Sequence, residues 1–168
     1  AISKKICIQK DYQIIVTEDH LDIWLEKLTG ADLLAVDTET TSLDYMEAEL
    51  VGISFEIAAG QAAYIPFGHD YLGAPKQLAK DLVMKRLKPI LENPNLKKVG
   101  QNLKYDMSVL AQHGIFLAGI EFDTMLESYV VDSVATRHDM DSLAEKYLDE
   151  ITTKFTDIAG KGVGQLTF

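Results

Sequence analysis

Asp37 and Glu39 stand one residue apart in the stretch LLAVDTET, directly after the apolar run 33–36. In a strand, residues i and i+2 project from the same face, so the two carboxylates point the same way. Like charges on a sheltered face repel each other unless a cation lies between them. A third acid, Asp106, occurs in VGQNLKYDMSVL, residues 99–110. There a short strand feeds Gly100, Asn102 has the chemistry of a helix N-cap, and Leu103, Met107 and Leu110 form an apolar stripe. At about 100° per residue, Asp106 falls only about 40° from Leu110, at the margin of that stripe.

Three hard oxygen donors from two separate segments suit Mg²⁺ or Mn²⁺. Zinc is a poor match, because Cys7 is alone and His20, His69, His113 and His138 are scattered. No nucleophile elbow, phosphate-binding P-loop or dinucleotide glycine fingerprint occurs, and GKGVG at 160–164 reads as a loop. Carboxylates converging on two divalent ions about 3.5–4 Å apart suit phosphodiester hydrolysis, with one water activated and the leaving oxygen stabilised. A plainer reading stands beside this one. Asp37 and Glu39 could mark a strand end emerging into solvent, and Asp106 a solvated acid at a stripe edge. The uninterrupted apolar residues 33–36 favour a strand covered on both faces, and in α/β sheets sites gather at the carboxyl ends of such strands.

The elements that must position these acids follow from periodicity. YQIIV (12–16) reads as a strand. Thr17 then caps a helix through about Leu28, with Leu21, Trp24, Leu25 and Leu28 on one face and Gly30 as the stop. Strands at 33–39, 50–57 and 62–67 form an antiparallel meander, turning at Gly60. An amphipathic helix covers 76–93, shortened or bent by Pro89. A strand at 97–100 leads to a helix at 102–112, and a strand at 119–122 leads to helices at 124–133 and 142–148. Thr124-x-x-Glu127 and Ser142-x-x-Glu145 read as capping boxes for the last two. Strand runs followed by βα alternation give an α/β fold with a mixed sheet and flanking helices.

The 168 residues suit one domain with a real core, and no apolar run approaches a membrane helix in length. A lone cysteine allows no internal disulfide and suits a reducing compartment. The net charge of −10 argues against broad phosphate-driven adhesion to nucleic acid. It leaves room for a small site that grips a strand end through metal ions and stacking.

DTET followed by Leu43, and QNLKYD, resemble the first and second motifs of the DEDD-type 3′–5′ exonucleases. ELVGISFEI, AAYIPFGHDYL, FDTMLESYV, RHDMDSLAEKYL and FTDIAGKGVGQLTF extend the resemblance over about residues 11–168, to the proofreading domains of bacterial DNA polymerases. It implies a ribonuclease-H-like mixed sheet and metal-dependent removal of the terminal nucleotide at a single-stranded or frayed DNA 3′ end. It implies two divalent ions, Mg²⁺ or Mn²⁺, held by Asp37, Glu39 and Asp106 as the catalytic ligands. Leu43 would wedge against the terminal bases and Phe155 would pack on the frayed end. Gln101, Asn102 and Tyr105 would line the substrate groove, with Thr40 beside the first motif. A polymerase domain in the same parent chain and a cytoplasmic, nucleoid-associated bacterial setting are implied as well.

Read from the residues alone, Leu43 and Phe155 are satellite packing, Asn102 is a cap and Tyr105 is partly core. Arg137 and His138 suit either phosphate contact or a helix-entry loop. Residues 1–10 read as a linker and 11–168 as the exonuclease domain. The family's third motif, Tyr-x-x-x-Asp, does not occur: Ser133 follows Tyr129 by four and Ile151 follows Tyr147 by four. The expectation is a fragment that stops before its last catalytic residues and is impaired by itself. The alternative reading is a catalytically silent domain that binds single-stranded DNA and serves as a polymerase scaffold.

Overall fold

The computed structural model describes residues 9–134, 137–153 and 157. In chain order the elements are β1 (Asp11–Ile14), α1 (Glu18–Thr29), β2 (Leu33–Thr40), β3 (Leu50–Ala58), β4 (Gln61–Pro66) and α2 (Lys80–Leu91). Then come β5 (Lys97–Gly100), α3 (Leu103–Gln112), β6 (Ile120–Asp123), α4 (Thr124–Val131) and α5 (Met140–Leu148). The strands form one mixed sheet in the order β1-β4-β3-β2-β5-β6. β2, β3 and β4 make the expected meander, β5 and β6 add in parallel, and β1 closes the far edge parallel to β4.

Register decides which side chains share a face. Val36, Phe55 and Ala63 align across β2, β3 and β4, as do Thr38, Ile53 and Ile65. This face carries the core. Leu21, Trp24 and Leu28 of α1, Val83, Leu87 and Leu91 of α2, and Leu103, Val109 and Leu110 of α3 pack with it. Trp24 also donates its indole N–H to Gln13 Oε1 at 2.8 Å, tying α1 to the edge strand. The opposite face aligns Asp37 with Ser54 and Tyr64, and Glu39 with Gly52 and Pro66.

Several local expectations change. β2 is buried on one face only: Leu34, Val36 and Thr38 are buried, while Leu33, Ala35 and Glu39 are half-buried and Asp37 is exposed. A continuous apolar run therefore did not mean two covered faces. α2 begins at Lys80 rather than 76, because Gln77 bonds both backbone groups of His69 (2.9 and 2.7 Å), a contact that holds residues 76–79 out of the helix. The stripe of α3 is Leu103, Asp106, Val109 and Leu110, and Met107 is 42% exposed. Asp106 thus lies within the stripe, not at its margin. The two capping boxes give way to earlier aspartates, Asp123 one residue before Thr124 for α4 and Asp139 three residues before Ser142 for α5, whose carboxylates accept first-turn N–H groups. Lys98, an unremarkable basic residue in KKVG, is fully buried and donates to the carbonyls of Asn93 and Leu96, both at 2.9 Å.

Candidate active site

β2 pairs in parallel with β5 only as far as Ala35–Val99. Beyond that point the strand edge is open, and there the N-terminal turn of α3 arrives. Its backbone enters tightly: a Cβ on Gly100 would lie 2.9 Å from the Val36 carbonyl and 2.4 Å from the Leu103 side chain. Asn102 takes the left-handed conformation at φ 59°, ψ 45° and makes no side-chain cap. Its expected capping role falls to Asp123 at the end of β6. The Asp123 carboxylate accepts from Asn102 N (3.2 Å) and Leu103 N (2.8 Å), and also from Met125 N (3.0 Å) and Leu126 N (3.2 Å). One side chain therefore satisfies orphan donors of two helices.

So fixed, α3 presents two consecutive residues to β2. Asp106, only 3% exposed, accepts from Thr38 N at 3.0 Å and from Thr38 Oγ1 at 2.6 Å, both on its Oδ1. Tyr105, half-buried against the core, forms a triangle of hydrogen bonds with Thr40 Oγ1 (2.6 Å) and the Ser42 carbonyl. The helix thus clamps the strand on either side of Glu39. Thr38, between the acids, faces the opposite side of the strand by simple alternation. That alternation was visible in DTET; that its partner would be Asp106 was not.

The electrostatics make the three acids one cluster. Burial pushes Glu39 up to about 7, and the charges of Asp37 and Asp106 add to the rise. Burial pushes Asp106 up to about 6 against the lowering pull of the Thr38 hydroxyl, with Asp37 raising it further. Asp37, although reachable by solvent, is raised by the protein packed around it, and its bond to the Thr38 backbone opposes the shift. Asp37 thus raises both of the other carboxylates, and grouped acids of this kind suit a divalent cation. Among the described residues, no three His, Cys, Asp or Glu side chains close around a single point. The coupling therefore reflects neighbours grouped about one strand end rather than a finished cage. The donor set is all-oxygen and suits Mg²⁺ or Mn²⁺, with Oδ2 of Asp106 left over by Thr38.

The remaining expected residues differ in their surroundings. Leu43 is 97% exposed in the loop after β2, which removes the packing reading. Gln101 is half-buried; its Nε2 donates to the His138 carbonyl at 2.8 Å, and its Oε1 accepts from Thr124. Its amide is therefore engaged by the protein. His138 is buried, bonded to Ser128 at 2.8 Å and stacked on Tyr129, while Arg137 is exposed. Phe155 and the GKGVG segment lie outside the described residues. Two groups on the acid-bearing face carried no signal in the sequence: Tyr64 on β4 and His69 in the following loop, joined through Tyr64 OH and His69 Nε2 at 2.5 Å. Burial, with Glu39, Tyr71 and Asp37 nearby, raises the Tyr64 hydroxyl well above its ordinary range.

A six-strand mixed sheet with flanking helices is the α/β fold of the ribonuclease-H-like exonucleases among its structural neighbours. Among solved structures, Pol1 from M. smegmatis, with its POL domain in complex with DNA primer-template and dNTP, matches at TM-score 0.68. It is 22% identical, and the match covers 85% of this chain and 23% of that one. NrnC of Brucella melitensis with bound Mg²⁺ matches at TM-score 0.60 and 20% identity, over 87% and 65% of the two chains. Residues 12–166 match the family model described as 3′–5′ exonuclease, and the chain belongs to that family. It is also 56% identical over 160 residues to DNA polymerase I of Pseudomonas aeruginosa, covering 94% of this chain and 18% of that relative. The chain thus spans under a fifth of the relative's length. No helix among the described residues is long and apolar enough to cross a membrane.

Proposed function

We propose that the chain is the metal-dependent 3′–5′ exonuclease unit of a DNA polymerase I, removing the terminal nucleotide from a frayed or single-stranded DNA 3′ end during proofreading. The observation that carries this reading is the single electrostatic cluster of Asp37, Glu39 and Asp106 at the open edge of β2. These three would hold Mg²⁺ or Mn²⁺, two ions in the full site. Bound divalent ions supply a more acidic water and charge stabilisation of the leaving oxygen.

The chain's own residues divide the remaining work. Thr38 keeps Asp106 oriented, and Tyr105 with Thr40 holds the strand end on α3. Leu43, nearly fully exposed, would press against the terminal bases. Asn102, in the left-handed conformation, and Gln101 would line the substrate path. A polymerase domain in the same parent chain would deliver the strand end.

The test is a 5′-labelled single strand incubated with the full-length protein and Mg²⁺. Stepwise shortening from the 3′ end, abolished by chelator, is expected; cleavage within the strand, or none, would defeat the reading. A second reading, a silent domain that holds single-stranded DNA, is favoured by one observation: no three ligands close on a point among the described residues. DNA binding without any Mg²⁺-dependent shortening would support it.

A further inference from the structure

Tyr64 stands across β4 from Ser54, which stands across β3 from Asp37. All three therefore share the acid-bearing face of the sheet. The Tyr64 ring leans along that face over Gly52, so closely that a Cβ at Gly52 would lie 2.0 Å from the hydroxyl. Gly52 is the cross-strand partner of Glu39. Directly opposed Cβ positions are about 4.5–5.5 Å apart. The hydroxyl is thus within reach of the Glu39 side chain, and it occupies space that any residue but glycine would fill.

On its other side the hydroxyl meets His69 Nε2 at 2.5 Å. His69 is itself fixed: its N–H donates to Gln77 Oε1 at 2.9 Å, its carbonyl accepts from Gln77 Nε2 at 2.7 Å, and the Tyr71 ring packs edge-on at 5.9 Å. A tyrosine hydroxyl has one proton to give. With two carboxylates on its inner side, the favourable assignment has the imidazole N–H donating to the Tyr64 oxygen. The tyrosine proton then points toward the acids.

We propose that Tyr64, held by His69, is a positioning residue that donates a hydrogen bond to the Glu39 carboxylate and fixes its orientation for hydrolysis. This rests on the nuclease reading above. The bland role for Tyr64 is packing over Gly52, and Tyr64→Phe separates the two, since it keeps the ring and deletes only the hydroxyl.

In the full-length protein acting on single-stranded DNA with Mg²⁺, Tyr64→Phe lowers kcat about tenfold or more while KM stays within twofold. His69→Ala falls alongside it, His69→Gln, which keeps an N–H donor, retains more activity than His69→Ala, and the double variant Tyr64→Phe/His69→Ala is no worse than Tyr64→Phe. Apart from turnover, Mn²⁺ affinity measured by calorimetry weakens about tenfold in Tyr64→Phe. It does not change further when Tyr64→Phe is added to Glu39→Gln. A Tyr64→Phe kcat within twofold of wild type overturns the proposal, as do losses that multiply in the double variant. Asp37→Asn serves as the control. If it abolishes hydrolysis while Tyr64→Phe is silent, the positioning role alone fails; if it leaves hydrolysis intact, the nuclease reading fails and takes this proposal with it.

Discussion

Thr38 gives both its backbone N–H and its hydroxyl to one oxygen of Asp106, at 3.0 and 2.6 Å, across 68 residues of sequence. The residue between the two strand acids is thereby what binds the third acid to their strand. Thr38→Val removes the hydroxyl and leaves the buried carboxylate one donor short. The expected cost is about 1.5–3 kcal/mol of stability, the range for a hydrogen bond to a charged group. Activity should fall by about 10–100-fold, as for residues that hold a metal ligand. Urea denaturation and the rate of nucleotide release check the two effects; unchanged values for both would show that Asp106 is held otherwise.

How much of this was legible beforehand divides along a physical line. The i, i+2 alternation of DTET and the helical wheel of NLKYD are local, and they put Asp37, Glu39 and Asp106 forward as candidates. The meander and the later βα alternation also showed in the hydrophobic pattern. What stayed hidden depends on contacts between distant segments: Asp106 meeting Thr38, Asp123 meeting the start of α3, Gln77 shortening α2, and Tyr64 lying over Gly52. Capping boxes misled because Thr124 and Ser142 matched a local pattern that a neighbouring aspartate served better. Lys98 was illegible for a similar reason, since its burial rests on carbonyls of a loop that only the fold brings beneath it.

The elevated acids set a pH dependence. Glu39 at about 7 and Asp106 at about 6 bind protons more tightly when folded than in an unfolded chain, where carboxylates titrate near 4. Their contribution to stability is therefore full below about pH 4 and is lost as pH rises through about 6 and 7. With chelator present, the part of Tm that these acids control should drop across that window, and Mg²⁺ should offset the drop at the upper end. Glu39→Gln should flatten the profile. Melting curves at a series of pH values, with and without Mg²⁺, decide the matter; a wild-type profile that matches Glu39→Gln would contradict it.

Asp123 caps two helices at once, so its removal should be felt twice. Asp123→Ala is expected to cost about 1–3 kcal/mol, more than a single exposed cap, while Asp123→Asn costs less. Because α3 carries Asp106, activity should decline with it. Urea midpoints of the two variants provide the comparison, and equal midpoints for Asp123→Ala and wild type would dismiss the double cap.

Leu43 is nearly fully exposed and supports nothing within the fold. Leu43→Ala should leave stability within about 0.5 kcal/mol of wild type. It should weaken capture of a frayed 3′ end, seen as a raised KM for duplex ends with little effect on single strands. A loss of stability instead would return Leu43 to a packing role.

The central claim is that Asp37, Glu39 and Asp106 form one metal-dependent hydrolytic centre acting from the 3′ end. Its most direct measurement is the rate of mononucleotide release from single-stranded DNA by the full-length protein and by its Asp37→Asn variant, with Mg²⁺ present and with chelator. The account predicts release from the 3′ end only, wholly Mg²⁺-dependent, and reduced at least about 100-fold in the variant. Release that persists in Asp37→Asn at the wild-type rate, or that proceeds in chelator, would contradict it.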